Sequence, residues 1–553
     1  MPPTLTINGQ SIEARDGWSL FDHAEALGID VPTSCRKQGK CRECMVEVVE
    51  GLSALSPHTD PERHLKGNFR LSCQTRVLAG SGHVRCHTMR RGQMRIERHA
   101  VGFSDRALPL DPAVTRDGHR ILIDGVEVER STAPILGLAM DLGTTTVVLR
   151  LFDLETGDLL ADTSFENPQR FGGAEVMARI AYDTDHPGRL LLRTLAGYLS
   201  HAIEKFPVDP KSIYELVVVG NSTMRDLFFR QSVHSIGQSP YRSITEIEME
   251  AGKRATTSLT QTGLRSLLPI HPRARVYGAP IISGHVGADA AAAMLAVDLA
   301  HETRRVAIMD IGTNTELIVG NRDRILAASC PAGPAFEGGA IACGMPALEG
   351  AIESVAIDDK GCFHLGVIGD QKPEGLCGSG LIASLSELLR TGRMNDLGRF
   401  DRDRLDHDDS RITLYRGDAG SGDVFLLERD VNELAQAKGA NVAGLHVVFS
   451  RYGIDFNDVD VFYLAGGFGR HIDVEAAKHI GLVPNLPTGK FIQAGNLAIE
   501  GATMALLSKT KRQELEDVVR RVEHCRLETD PHFFDFFVEG CQFKPMEVIP
   551  CAR

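Results

Sequence analysis

"GLAMDLGTTTVVLRLFDLETG", residues 137–157, and "VAIMDIGTNTELIVGNRDRIL", residues 306–326, are two copies of one pattern. Each reads as an apolar strand, an Asp-apolar-Gly-Thr turn and a second apolar strand. Asp141 and Asp310, 169 residues apart, occupy the same place in each copy. A repeat of this length predicts two similar α/β halves. Gly143 and Gly312 permit a tight hairpin. The N–H groups and hydroxyls of Thr144, Thr145 and Thr146, and of Thr313 with Asn314, can then wrap phosphate oxygens. A carboxylate at the end of each strand, Asp141 or Asp310, can hold Mg²⁺ or orient an attacking water. One such turn alone could be a hairpin with a capping Asp; its recurrence favours a nucleotide site with both aspartates in catalytic roles.

Other glycine-rich stretches extend this reading. "DVFYLAGGFGRHI", residues 460–472, places Gly466, Gly467 and Gly469 after an apolar strand. There they let the backbone approach a nucleotide base or ribose. "ELVVVGNSTM", ending its strand at Gly220-Asn221, fits either an element linking the halves or a plain strand-to-helix turn. "CPAGPAFEGGAIACGM" carries Cys330, Glu337 and Cys343. It reads as a packed loop or as one touching nucleotide or partner. His285 and Asp289 precede an alanine-rich helix, where Asp289 suits the helix N-terminus as well as a cleft.

Upstream, "SCRKQGKCREC", residues 34–44, begins a C-x5-C-x2-C-x28-C series of Cys35, Cys41, Cys44 and Cys73. Before it come a hairpin around Asn8-Gly9 and a short helix ended by Gly28. After it comes a strand with Val46 and Val48 on one face. Four thiolates in this order suit a [2Fe-2S] cluster, whose plant-type spacing is C-x4-C-x2-C with a distant fourth cysteine. Structural zinc is the alternative, although zinc ribbons usually supply two C-x2-C knuckles and only Cys41–Cys44 is such a pair. Arg36, Lys37, Lys40 and Arg42 would favour the reduced, more anionic cluster, or they form a solvated basic loop. Cys86 lies outside the series and reads as a spare thiol.

The totals bound these readings. A length of 553 residues suits three or four domains, and 43% hydrophobic with 24% charged residues is ordinary for a globular chain. The net charge of -13 argues against a nucleic-acid partner. No signal-peptide pattern and no apolar run of about 20 residues is found, so a cytoplasmic chain with no membrane partner is expected. The predicted domains are 1–90, ferredoxin-like; 91–132, a polar linker with short β-like pieces; 133–300, a middle domain with the first phosphate turn; and 301–553, a C-terminal domain with the second turn and the glycine element.

Asp141–Thr146, Asp310–Thr315 and Leu464–Gly469 resemble the phosphate-1, phosphate-2 and adenosine motifs of the actin, sugar-kinase and Hsp70 superfamily. The resemblance implies an α/β multidomain fold. It would comprise an N-terminal β-grasp ferredoxin domain, a linker, and two ribonuclease-H-like lobes that close on Mg-ATP. With the cysteine series, "GPAFEGGAI" and "CGSGLI", the whole chain is similar to the reductive activators of corrinoid proteins. That similarity implies ATP-dependent one-electron transfer from a [2Fe-2S] cluster to Co(II) in a corrinoid protein or cobalamin-dependent methyltransferase. The cofactors implied are the cluster, ATP and Mg²⁺, and the implied electron source is a low-potential donor. A homodimer is compatible with it. Activation of another low-potential metalloenzyme, or a nucleotide-dependent chaperone with a structural metal, are the competing readings. The linker is long enough for the cluster domain to swing between donor and acceptor.

Overall fold

A computed structural model describes residues 4–78, 82–89, 108–404, 411–417, 422–467 and 471–546. The chain forms two compact units. One comprises residues 1–93, 110–279 and 506–509; the other comprises 94–109, 280–505 and 510–553.

The first unit begins with the ferredoxin-like part. Its five strands run in the order Gln10–Glu13, Thr4–Ile7, Val84–Thr88, Met45–Glu50, Phe69–Leu71. Asn8 and Gly9, at φ 49 and 78, make the predicted hairpin turn. The helix Leu20–Ala26 starts at a capping box in which Ser19 and Asp22 satisfy each other's backbone N–H. It buries Leu20, Phe21 and Ala24, completing the β-grasp arrangement. A three-stranded antiparallel sheet follows, Val114–Asp117, Arg120–Ile123 and Val126–Arg130. It contains the β-like pieces expected in the linker.

The first copy of the repeat then builds a six-stranded sheet. Leu136–Leu142 pairs antiparallel with Thr146–Asp153 and parallel with Ile213–Val219. Leu138, Met140 and Leu142 join the core cluster that also holds Leu5, Met45 and Val84, so the ferredoxin-like part and the middle region share one apolar interior. A fully buried side chain of this size contributes about 1.5–3 kcal/mol. The cluster domain is therefore seated on the middle region in this structure, which differs from the swinging domain expected from the linker.

The second unit repeats the plan. Val306–Ile311 pairs antiparallel with Thr315–Gly320 and parallel with Val461–Ala465, inside a second six-stranded sheet. Five strands of each sheet share one order, with one antiparallel and one parallel partner for each leading strand and the sixth strand on opposite edges; this is the ribonuclease-H-like plan that the resemblance implied. The helix Ala288–Ala296 lies in the second unit, although its sequence position suggested the middle domain. A Cβ at Gly501 would come within 2.1 Å of the Ala292 carbonyl oxygen, so this helix is packed at backbone contact with Leu497–Leu507.

Candidate functional site

The four cysteines of the series come together in two pairs. Burial opposes ionisation of Cys35, but the N–H and thiol of Cys41 and the N–H groups of Lys40 and Gln38 hold its pKa below the ordinary thiol value. Burial pushes Cys41 up, against N–H donors from Glu43 and Ser34. The Cys44 thiol donates to Cys73, pulling Cys73 down to about 6 and driving Cys44 up. Gln74 Nε2 lies 3.3 Å from Cys73 Sγ, and the Gly39 N–H also points at that sulfur. The loop bends this far because Arg36, Lys37, Gly39 and Arg42 all adopt left-handed φ, from 52 to 71. At Gly39 a Cβ would meet Pro61 and Gln74 at 3.0 Å, so only glycine brings the backbone in here. Amide donors aimed at several sulfurs suit thiolates that share an anionic group. Cys86, buried without such donors, is pushed up to about 12 by burial alone. Cys86 thus stands apart from the two cysteine pairs.

The loop is also held from outside. Glu43, between Cys41 and Cys44, is buried; Ser34 Oγ donates to Glu43 Oε1 at 2.7 Å, and His201 Nε2 lies 3.0 Å from Glu43 Oε2. Tyr182 Oη donates to the His64 carbonyl at 2.7 Å. These contacts join the ferredoxin-like part to the middle-region helices Val176–Asp185 and Leu190–Glu204.

In the first phosphate-type turn, residues 143–146 lie between the paired residues Leu142 and Val147. Gly143 N donates to Thr146 O at 3.0 Å, and a Cβ at Gly143 would lie 2.6 Å from that oxygen. The turn is braced from behind. Arg179 Nη2 donates to Thr144 O at 2.6 Å, Asn167 Nδ2 to Gly143 O at 2.8 Å, and Asn221 Nδ2 to Thr144 Oγ1 at 2.8 Å. Asn221 also caps the helix Ser222–Phe228, so Gly220-Asn221 is a strand-to-helix turn that also supports the phosphate turn.

The second turn is shorter, with residues 312–314 between Ile311 and Thr315. Thr313 Oγ1 donates to Glu337, and Gly333 N donates to Thr313 O at 2.9 Å. The glycine-rich loop therefore braces this turn and supplies Glu337 to it. Gly466 follows the parallel strand at φ 106; a Cβ there would lie 2.3 Å from Ile311 O and 3.0 Å from Asp310 Oδ1. Gly467 has open space beside it, and Gly469 falls outside the described residues.

The two turns differ chemically. Asp310 is the cross-strand partner of Glu316, whereas Asp141 partners Val148. Directly opposed residues share a sheet face. Burial first, then the nearby Asp289 and Asp310 carboxylates, drive the Glu316 pKa well up. Burial likewise raises Asp289 to about 6. The second unit thus sets three carboxylates near enough for Asp289 and Asp310 to raise the Glu316 pKa. Sequence reading left Glu316 unassigned, because its role depends on the register of the hairpin.

Residues 305–552 match the family described as "C-terminal domain of RACo the ASKHA domain", 136–302 the RACo middle region, and 5–78 the 2Fe-2S iron-sulfur cluster binding domain. The corrinoid activation enzyme RamQ of Eubacterium limosum is 33% identical over 448 residues, covering 77% of this chain and 73% of its own. The chain belongs to the corrinoid reductive-activator family. Similar to it also is the [Co(II) methylated amine-specific corrinoid protein] reductase of Methanosarcina barkeri, 24% identical over 438 residues, or 73% of this chain and 76% of that one. A solved structure named reductive activator for corrinoid, iron-sulfur protein superposes over all of both chains with a TM-score of 0.73 and 25% identity. In this family member the segment matching the 2Fe-2S domain holds the two cysteine pairs, and the segment matching the ASKHA domain carries the Asp310 turn. No helix among the described residues is long and apolar enough to cross a membrane.

Proposed function

We propose that this activator uses ATP to drive one electron from its [2Fe-2S] cluster to the Co(II) form of a corrinoid protein or cobalamin-dependent methyltransferase, restoring Co(I). The observation that carries this is the pairing of Cys35 with Cys41 and of Cys44 with Cys73 under backbone donors, in a chain whose residues 5–78 match the 2Fe-2S domain and whose residues 136–302 and 305–552 match the activator's middle and C-terminal regions. When bound, the cluster supplies a one-electron store. The chain's own residues set its surroundings: the Lys40, Gln38 and Gly39 N–H groups stabilise charge on the sulfurs, and Gln74 adds a side-chain donor.

The coupling to ATP has a physical motive. For one electron, each shortfall of about 59 mV costs a factor of ten in equilibrium, so a donor above the potential of its target needs outside free energy. Asp310 is the carboxylate proposed to hold Mg²⁺ or to orient the attacking water, with Glu316 and Asp289 as its charged neighbours. The Thr313 and Asn314 backbone is proposed to cradle phosphate, with Gly466, Gly467 and Gly469 against the nucleoside. Asp141 and the Thr144–Thr146 turn are proposed as the second phosphate-binding element.

The test is optical. Reductant added to the protein with a Co(II) corrinoid partner should bleach the cluster at once. Co(I) absorbance should accumulate only after Mg-ATP is added. Equal Co(I) formation without nucleotide would remove the ATPase from the reaction.

A further inference from the structure

The cysteine loop has two sides, and the fold treats them differently. One side is covered. Glu43 is buried so closely against the helix Leu190–Glu204 that a Cβ at Gly197 would lie 2.9 Å from its Cγ. Arg42 turns the same way: its Nη1 is buried, and its charge lies near Arg193 and Tyr182. The other side is open. Arg36, Gln38 and Lys40 are exposed, and the ligand Cys35 is half-exposed beside them.

The cations on the open side are not equivalent. Lys37 Nζ lies 2.8 Å from Asp22 and 2.7 Å from Glu25, and 4.7 Å from the centre of the Phe21 ring. Its charge is neutralised within the domain. Arg36 and Lys40 have no ion-pair partner among the described residues. Arg36 is also held in a left-handed conformation, φ 52, which L-residues seldom adopt. In a chain of net charge -13, the rim of the redox site is a local reversal of sign.

Electron transfer requires the two centres to come close. A protein that loads the cluster must therefore meet the loop on the side that the middle region leaves open. We infer that Arg36 and Lys40 form the docking point for an acidic face on the protein that donates electrons to this cluster. The inference rests on the [2Fe-2S] reading above and adds the chemistry of the donor surface. The patch spans only residues 36–40, a size that suits the small, transient interfaces of redox encounters, below about 1,200 Å². The step moves one electron: the donor centre is oxidised by one, the cluster is reduced by one, and no bond or proton changes hands.

Charge of this kind acts on association rate, raising it by about 10–10³-fold at low salt. The test uses the full-length protein and R36E/K40E, with R36Q/K40Q as an intermediate step. Lys40 meets the sulfurs only through its backbone N–H, which substitution keeps, so iron, acid-labile sulfide and the spectrum of the reduced cluster should match in all three. Cluster bleaching is then followed by stopped flow with two reductants: a reduced acidic [2Fe-2S] ferredoxin and the neutral radical of a photoreduced deazaflavin. With ferredoxin at low salt, R36E/K40E should be at least about tenfold slower than the parent and should speed up as salt is added, whereas the parent slows; R36Q/K40Q should lie between them and be nearly independent of salt. With deazaflavin all three should agree. Equal rates with ferredoxin would overturn the inference, as would an equal loss with both reductants, which would place the effect in the cluster itself. Normal loading combined with slow delivery to a Co(II) corrinoid protein would overturn it too, by assigning the patch to the acceptor. A parent protein without iron or sulfide would instead bring down the underlying cluster reading.

Discussion

Glu43 Oε2 and His201 Nε2 lie 3.0 Å apart, joining residues 158 positions distant in the chain. Burial opposes ionisation of Glu43, but the His201 and Ser34 contacts outweigh it and hold the pKa below the usual carboxylate value. Glu43→Ala removes this anchor and leaves both partners short of an acceptor. The expected cost is about 1–3 kcal/mol. It should appear as faster hydrogen exchange in residues 190–204, with the cluster spectrum retained. Unaltered exchange there would mean that the carboxylate does not hold the two parts together.

Serine in place of Cys35, Cys41, Cys44 or Cys73 should abolish the cluster. Anaerobically purified parent protein should contain about two irons and two sulfides per chain. Cys86→Ser should keep both, together with the spectrum, while losing roughly 1–3 kcal/mol of stability because a hydroxyl replaces a fully buried thiol. Iron and sulfide analysis beside thermal unfolding separates the two classes.

The asymmetry between the phosphate turns predicts unequal mutants. Asp310→Asn or Glu316→Gln should slow ATP hydrolysis by about 10²-fold or more, equivalent to about 3 kcal/mol of barrier, without preventing chemical reduction of the cluster. Asp141→Asn should cost less, since its cross-strand partner is Val148 rather than a second carboxylate. A steady-state phosphate-release assay checks the order. A larger loss at Asp141 than at Asp310 would reverse the assignment.

His64 offers a pH signature. Burial, then the Arg42 charge, depress its pKa to about 4, with Glu62 and His186 as the other charged or titratable neighbours. Its unfolded pKa is near 6.5, so below that pH the unfolded chain binds a proton that the folded one refuses. Stability from this group is therefore complete above about pH 6.5 and is lost as pH falls towards 4, by up to about 3 kcal/mol. His64→Gln should flatten that part of the pH profile in chemical denaturation. An unchanged slope would show that other groups control it.

What the sequence disclosed follows the range of each interaction. The Asn8-Gly9 hairpin, the Cys35–Cys44 loop and each Asp-apolar-Gly-Thr turn are legible because each signal lies within a few residues, and the repeat because the same short pattern recurs 169 residues later. Glu316 stood in a quoted motif but gained meaning only from the register that sets it opposite Asp310. Glu43 and His201, and Arg179 with Thr144, could not be paired in advance, because nothing in either local sequence refers to the other. The helix Ala288–Ala296 was placed by its position in the chain, whereas its unit is decided by close packing at Gly501, more than 200 residues later.

That last contact bears on how the protein can be cut into pieces for expression. Neither unit is a single run of sequence: residues 280–302 precede the second repeat but belong with it, and residues 506–509 return to the first unit, where Ser508 Oγ donates to Asp111 and Asp111 N to Leu507 O at 3.1 Å. A fragment ended at residue 302 would retain a helix of buried alanines with its packing partner missing. It would also lose the strand-like bridge at Ser508. Such a fragment would present a bare apolar helix to its neighbours, so truncations at the apparent domain border should yield insoluble material where the intact chain does not.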